Sequence, residues 1–150
     1  MMNFTDSFAF ISPKIEIKKS PLHGNGVFAN QDISSGATIE RSLTILFATE
    51  TFKILEPERE SRHILCDYAY NIPSSNFSCM AMGYAMAYNH ADDPNVSYRW
   101  LGIPEDSENF RCEFFTLKDI KAGEELTHSY GPLIDFDNHG GWCHLIKIPK

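Results

Sequence analysis

The chain has 150 residues, 43% hydrophobic and 22% charged, with a formal net charge of −7. That length fits one domain that buries a core without disulfides or metal, and the balance excludes a largely disordered chain, a coiled coil and a collagen-like repeat. The acidic surplus argues against direct nucleic-acid binding, which uses a basic face, and suits a basic partner such as a Lys-rich peptide.

Residues 1–13 have no basic leader and break their apolar stretch at Asp6 and Ser7, so a tail is expected there. Ile15 and Ile17 alternate with polar residues, the pattern of a half-buried strand over Lys14 to Lys19. A Pro- and Gly-containing turn follows, with Gly24-Asn25-Gly26 at its end, and Val27 to Ala29 resumes a short strand. Ala37 to Phe47, rich in Ile, Leu and Thr, reads as a strand pair.

Glu56 to Tyr70 is expected as a helix: Pro57 suits a first turn, and Glu56, Glu58 and Glu60 suit the positive end of the dipole. Small and apolar residues from Met80 to Tyr88 suggest a second short helix. Asn89 to Asn95 is polar and turn-prone. Val96 to Leu101 and Cys112 to Leu117 read as a hairpin around an acidic loop, and Leu126 to Tyr130 as a last strand. Many short strands with one or two helices make a β-rich α+β domain. Apolar residues recur after 131, at Leu133, Ile134, Phe136, Trp142, Leu145 and Ile146, too many for a free tail.

The cysteines Cys66, Cys79, Cys112 and Cys143 stand far apart, with no CxxC pair, so no metal site is expected and free thiols in a reducing, intracellular compartment are. No apolar run approaches the ~20 residues of a membrane span, and no membrane partner is expected.

Three segments carry chemistry: the glycine turn, the amide-rich Asn89-His90-Ala91-Asp92-Asp93-Pro94-Asn95, and Gly123-Glu124-Glu125-Leu126-Thr127-His128-Ser129-Tyr130-Gly131. In this order they resemble the GxG, NHSxxPN and GEELTxxYG segments of SET-domain protein lysine methyltransferases. The resemblance spans about 14 to 131 and is strongest to small stand-alone SET proteins of viral type, which share the KKSPL run (Lys18 to Leu22) and an apolar segment before NH (Ala81-Met82-Gly83).

The resemblance implies small sheets around a C-terminal pseudo-knot. Residues 14–131 would be the SET domain and 132–150 a segment covering the site. It implies S-adenosyl-L-methionine as methyl donor, and a Lys-rich protein or peptide, such as a histone tail, as acceptor. Action in the nucleus or at chromatin would follow in a eukaryotic cell or host.

By the same resemblance Tyr130 is the catalytic tyrosine, with Tyr98 adding a second hydroxyl. Gly24, Asn25, Gly26, Asn89 and His90 would bind the cofactor, and Trp142 is the candidate to pack on its adenine, the alternative being that it only anchors the tail. Tyr68 and His128 would line the substrate channel, while Tyr70, Tyr84 and Tyr88 read as core. Some positions depart from the family pattern. Ala91 stands for the usual Ser, Asp92 for the frequent Cys, Met86-Ala87-Tyr88 for a segment that often holds Arg, and His128 for an aromatic or aliphatic residue. A cysteine-rich zinc module after the domain is missing, which leaves the tail to cover the site and makes a homodimer one expected solution.

The alternative from another class is a SET-like binding module that keeps the cofactor pocket without methylating. A cysteine hydrolase using Cys66 or Cys112 lacks any local nucleophile signature.

Overall fold

The alternation of Ile15 and Ile17 does produce a strand. In the computed structural model, which describes residues 8–51, 54 and 68–130, β2 (Ile15–Lys19) pairs antiparallel with β3 (Asn25–Ala29). Ile15, Val27 and Ala29 are buried. β10 (Glu125–His128) joins β3 antiparallel and β7 (Asn89–His90) parallel, so this sheet runs β2-β3-β10-β7. The two most polar motifs of the sequence are thereby zipped side by side, with Thr127 opposite Asn89 and His128 opposite His90.

The larger sheet runs β5-β6-β4-β9-β8, with β1 (Phe10–Ile11) also on β4. Its members are β4 (Thr38–Ala48), β5 (Ala69–Asn71), β6 (Phe77–Ala81), β8 (Val96–Leu101) and β9 (Arg111–Thr116). The β8–β9 hairpin lies where two strands around an acidic loop are expected, with β9 one residue earlier than Cys112 to Leu117. Residues 38–47, by contrast, belong to one long strand rather than a pair. They satisfy two neighbours at once, β9 from Thr38 to Leu43 and β6 from Thr44 to Ala48, with a register irregularity between Thr38 and Glu40.

The expected helix over 56–70 lies outside the described residues up to 67; beyond that, Tyr68 is in a turn and Ala69 and Tyr70 are strand β5, not helix. The second expected helix is replaced by β6 followed by a 3-10 helix, Gly83–Met86. Cys79 and Ala81 face the core by strand alternation. Gly83 then takes a φ of +80°, and a side chain there would collide with the Glu40 carboxylate. That close approach lets Glu40 Oε1 accept the backbone N–H groups of Tyr84 (2.8 Å) and Ala85 (3.2 Å). The residues after 130, including Trp142 and the expected covering segment, lie outside the described part.

The main core joins both sheets through Ile39, Tyr88, Val96, Phe114, Ile120 and Leu126. Two buried carboxylates sit within this framework. Glu113 on β9 lies opposite Arg41 and Arg99 on the flanking strands. Burial pushes its carboxyl up, but Arg41 and Arg99, with Nε at 2.9 Å and 2.8 Å, prevail and hold it below the ordinary value. Glu40 has no cation in its bonding set among the described residues and is 0% exposed. It accepts from the Ser42 hydroxyl (3.0 Å), the Tyr88 hydroxyl (3.1 Å) and the two amides of the 3-10 helix. Burial raises its pKa, and these hydrogen bonds oppose the rise.

Glu40→Ala should strand the two amides and the Tyr88 hydroxyl. Each buried orphan costs about 1–3 kcal/mol, so the variant should lose about 3 kcal/mol or more in urea unfolding. A loss below about 1 kcal/mol, the net worth of a single ordinary hydrogen bond, would show that these groups find other partners.

Candidate active site

Two cavities open on either side of one wall formed by Tyr68, Met86 and Tyr130. The first is aromatic, bounded further by Tyr70, Tyr88, Tyr98 and His128. The second is bounded by the β2–β3 turn (Leu22 to Asn25) and by Ala87, Asn89 and His90. Sequence-expected residues therefore divide cleanly: Tyr98 and His128 in the first, Gly24, Asn25, Asn89 and His90 in the second, and Tyr68 and Tyr130 in both.

Gly26 lines neither cavity. A Cβ at Gly26 would run into the Glu125 carboxylate and meet Asn89 Nδ2 at 3.1 Å, so its missing side chain makes room for a network behind the turn. Asn89 Nδ2 donates to Glu125 Oε1 (2.7 Å) and to the carbonyls of His23 and Asn25 (3.1 Å each). Three oxygens around one amide nitrogen fix the side chain's orientation. Among the described residues, Asn89 Oδ1 is then left for a ligand. Glu125 also accepts from Ser20 Oγ at 2.8 Å, tying the turn to β10. Asn95 adds a two-pronged contact with β10: its Oδ1 accepts the Thr127 N–H and its Nδ2 donates to the Glu125 carbonyl, both at 2.8 Å.

Tyr130 is held at two points. Its backbone N–H donates to His90 Nδ1 at 3.0 Å, and its hydroxyl donates to the Tyr88 carbonyl at 2.6 Å. Burial pushes the hydroxyls of Tyr130 and Tyr98 up to about 12, so both stay protonated at neutral pH. His128 packs among the rings of Tyr70, Tyr88, Tyr98, Phe114 and Tyr130. Burial drives its pKa down to about 4, and its Nδ1–H donates to the Ser129 carbonyl at 3.0 Å. The ring is neutral, with Nε2 turned to the Tyr70 hydroxyl at 3.4 Å.

The core reading holds for Tyr88 in its packing, since it is 1% exposed, although its edge also bounds the aromatic cavity. It is incomplete for Tyr70, which packs on the core yet lines the aromatic cavity and stands edge-on to Tyr98 with centroids 5.1 Å apart. Sequence reasoning also missed Ser20, Glu125 and Met86. The first two lie inside the quoted motifs, but nothing in spacing says that they face each other. None of the acidic residues Asp92, Asp93, Glu105, Asp106 and Glu108 lines either cavity. Cys112 and Cys79 are fully buried and their thiols are pushed upward by burial, which removes Cys112 as a nucleophile.

His128 has a stability signature. Its folded pKa lies below its unfolded one, so its contribution is complete above about pH 6.5 and is lost as pH falls toward about 4. His128→Phe keeps an aromatic ring and removes the titration. Between pH 7 and pH 5 the parent should lose about 2 kcal/mol more stability than the variant. Glu40, raised by burial, runs in the opposite direction but is common to both proteins. Equal losses in urea unfolding at the two pH values would show that His128 is not buried as a neutral ring.

The SET domain profile matches residues 24–131 of the chain. A Schizosaccharomyces pombe histone-lysine N-methyltransferase, H3 lysine-37 specific, is 30% identical over 137 residues, covering 91% of this chain and 86% of that protein. The variant-silencing SET domain-containing protein of Plasmodium falciparum is 32% identical over 150 residues, covering 89% of this chain but only 6% of its own length. Among solved structures, a Plasmodium falciparum protein assigned as a histone methyltransferase superposes with a TM-score of 0.62 at 32% identity, over 81% of this chain and 96% of that one. A chain of ctPRC2 bound to S-adenosylmethionine superposes with a TM-score of 0.61 at 26% identity, over 80% of this chain and 15% of its own. With the β-rich fold, the zipped motifs and the paired cavities in hand, these matches establish that the chain belongs to the SET-domain family.

Proposed function

We propose that the chain is a protein-lysine N-methyltransferase that takes its methyl group from S-adenosylmethionine and acts on a Lys-rich protein of the histone type at chromatin. The observation that carries this reading is the wall shared by the two cavities, where Tyr130 faces both.

The second cavity suits the cofactor's amino-acid end. Asn89, with its nitrogen committed to three protein oxygens, leaves Oδ1 as an acceptor for an ammonium. Bound there, S-adenosylmethionine supplies a sulfonium-activated methyl group. The aromatic cavity suits a lysine side chain. Its walls are mostly tyrosines, Ala69, Ala85, Met86 and a neutral imidazole, with Asn71 and Ser129 as uncharged polar neighbours, and among the described residues no carboxylate lines it. A charged ammonium is disfavoured in such surroundings, so the amine enters the reaction as the free base.

Tyr130 cannot be the base, because its hydroxyl is protonated far above neutral pH. It orients instead. Its proton is committed to the Tyr88 carbonyl, so its lone pairs face outward to accept an amine N–H. Holding nitrogen in line with the methyl carbon and excluding water then accounts for the rate.

Radiolabelled S-adenosylmethionine with a histone H3 peptide tests the reading: label should appear on lysine. Cofactor binding without transfer would mark the chain as a binding module. Tyr130→Phe should lower kcat roughly tenfold or more, as expected when an interaction made in the transition state is lost, while cofactor affinity by calorimetry stays within about threefold (under ~0.7 kcal/mol). A variant with parental kcat would remove Tyr130 from the catalytic role. Because the amine must lose its proton first, and its reference pKa is ~10.4, kcat/KM should climb with pH between about 7 and 9. A flat profile would point to a base within the protein.

A further inference from the structure

We propose that Asp92 is a positioning residue that aims Tyr130 by fixing the tautomer of His90; its effect on turnover rests on the methyltransferase reading above. Two of its contacts bear on the proton's position on the ring. The Tyr130 backbone N–H donates to Nδ1 at 3.0 Å. An amide can only donate, so Nδ1 carries a lone pair and the proton sits on Nε2. Nε2 in turn lies 3.1 Å from Asp92 Oδ1 and donates to it. In the other tautomer two lone pairs would face each other at Asp92 and two protons at Tyr130, so the carboxylate selects the arrangement that Tyr130 requires.

The location gives this selection its consequence. Regular pairing of β10 ends at His128, and the last rung beyond it is the Ala91 N–H to the His128 carbonyl. Tyr130 lies past that rung, and its amide is met by an imidazole instead of a strand carbonyl. The His90 and Tyr130 rings stand 5.3 Å apart, and the Tyr130 hydroxyl is fixed at its far end by Tyr88. The His90 side chain is 10% exposed, whereas that of Asp92 is 83% exposed and lines neither cavity. Asp92 therefore acts only through His90. It also stands where the family motif often has Cys, a residue too weak as an acceptor for this role.

The test uses the full chain with Asp92→Ala and Asp92→Asn. Long-range proton–nitrogen spectra of the His90 ring should show Nε2–H in the parent and in Asp92→Asn, whose amide oxygen still accepts. Asp92→Ala should show a mixture of tautomers and faster hydrogen exchange at the Tyr130 amide. With saturating S-adenosylmethionine and a histone peptide, Asp92→Ala should lose about fivefold in kcat, the scale of an exposed pair, with its cofactor KM within about twofold, a change far smaller than losing one buried hydrogen bond brings. Asp92→Asn should restore kcat. An Ala variant that keeps the pure Nε2–H signature, or the parental kcat, overturns the proposal. If the parent itself transfers no methyl group, the methyltransferase reading fails, and the tautomer spectra with Tyr130 exchange decide the positioning by themselves.

Discussion

One buried carboxylate organises the wall on which both cavities depend. Glu40, central in β4, gathers two amides of the 3-10 helix and the Tyr88 hydroxyl around a charge that has no cation in its bonding set among the described residues. Burying a carboxylate is costly unless its lone pairs are filled, so these donors have little freedom to leave. The same segment then points other groups at the site. The Ala85 carbonyl lies 3.3 Å from the Tyr70 hydroxyl, Met86 enters the shared wall, and the Tyr88 carbonyl takes the Tyr130 hydroxyl. A constraint in the larger sheet thus fixes the aim of a side chain at the end of the smaller one.

The other half of the wall hangs from β10. Glu125 and Asn89 reach across the space that Gly26 leaves and hold the β2–β3 turn by its carbonyls and by Ser20. Asn95 binds the same strand edge like a piece of backbone. Side-chain amides do this work because β7 is only two residues long, too short to secure a parallel pairing through its own ladder.

Much of this was legible in sequence order and little of it in periodicity. Residue type located β2 and the β8–β9 hairpin, but not their faces: Ile17 is exposed on β2, and β9 is buried at three successive residues, Cys112, Glu113 and Phe114. It misjudged β4, where Leu43 and Ile45 are exposed while Glu40 and Ser42 are buried, inverting the usual sign of the pattern. It misjudged Met80 to Tyr88 because small apolar residues suit either period, and only the collision space at Gly83 decides for a strand followed by a tight turn. The paired motifs named most cavity residues. Their mutual contacts depend on pairings that no local rule reports: Ser20 with Glu125 on the antiparallel β3–β10 register, and Asp92 with Tyr130 through His90 on the parallel β7–β10 register.

The shared wall has a thermodynamic corollary. Tyr68, Met86 and Tyr130 touch whatever occupies either cavity, so ordering them for one occupant alters the free energy of admitting the other. Linkage makes that coupling reciprocal: a factor gained by the occupant of one cavity when the other is filled is the same factor gained in reverse. Selection on this wall therefore acts on cooperativity as much as on affinity, and a single bridging molecule would order it once for both ends.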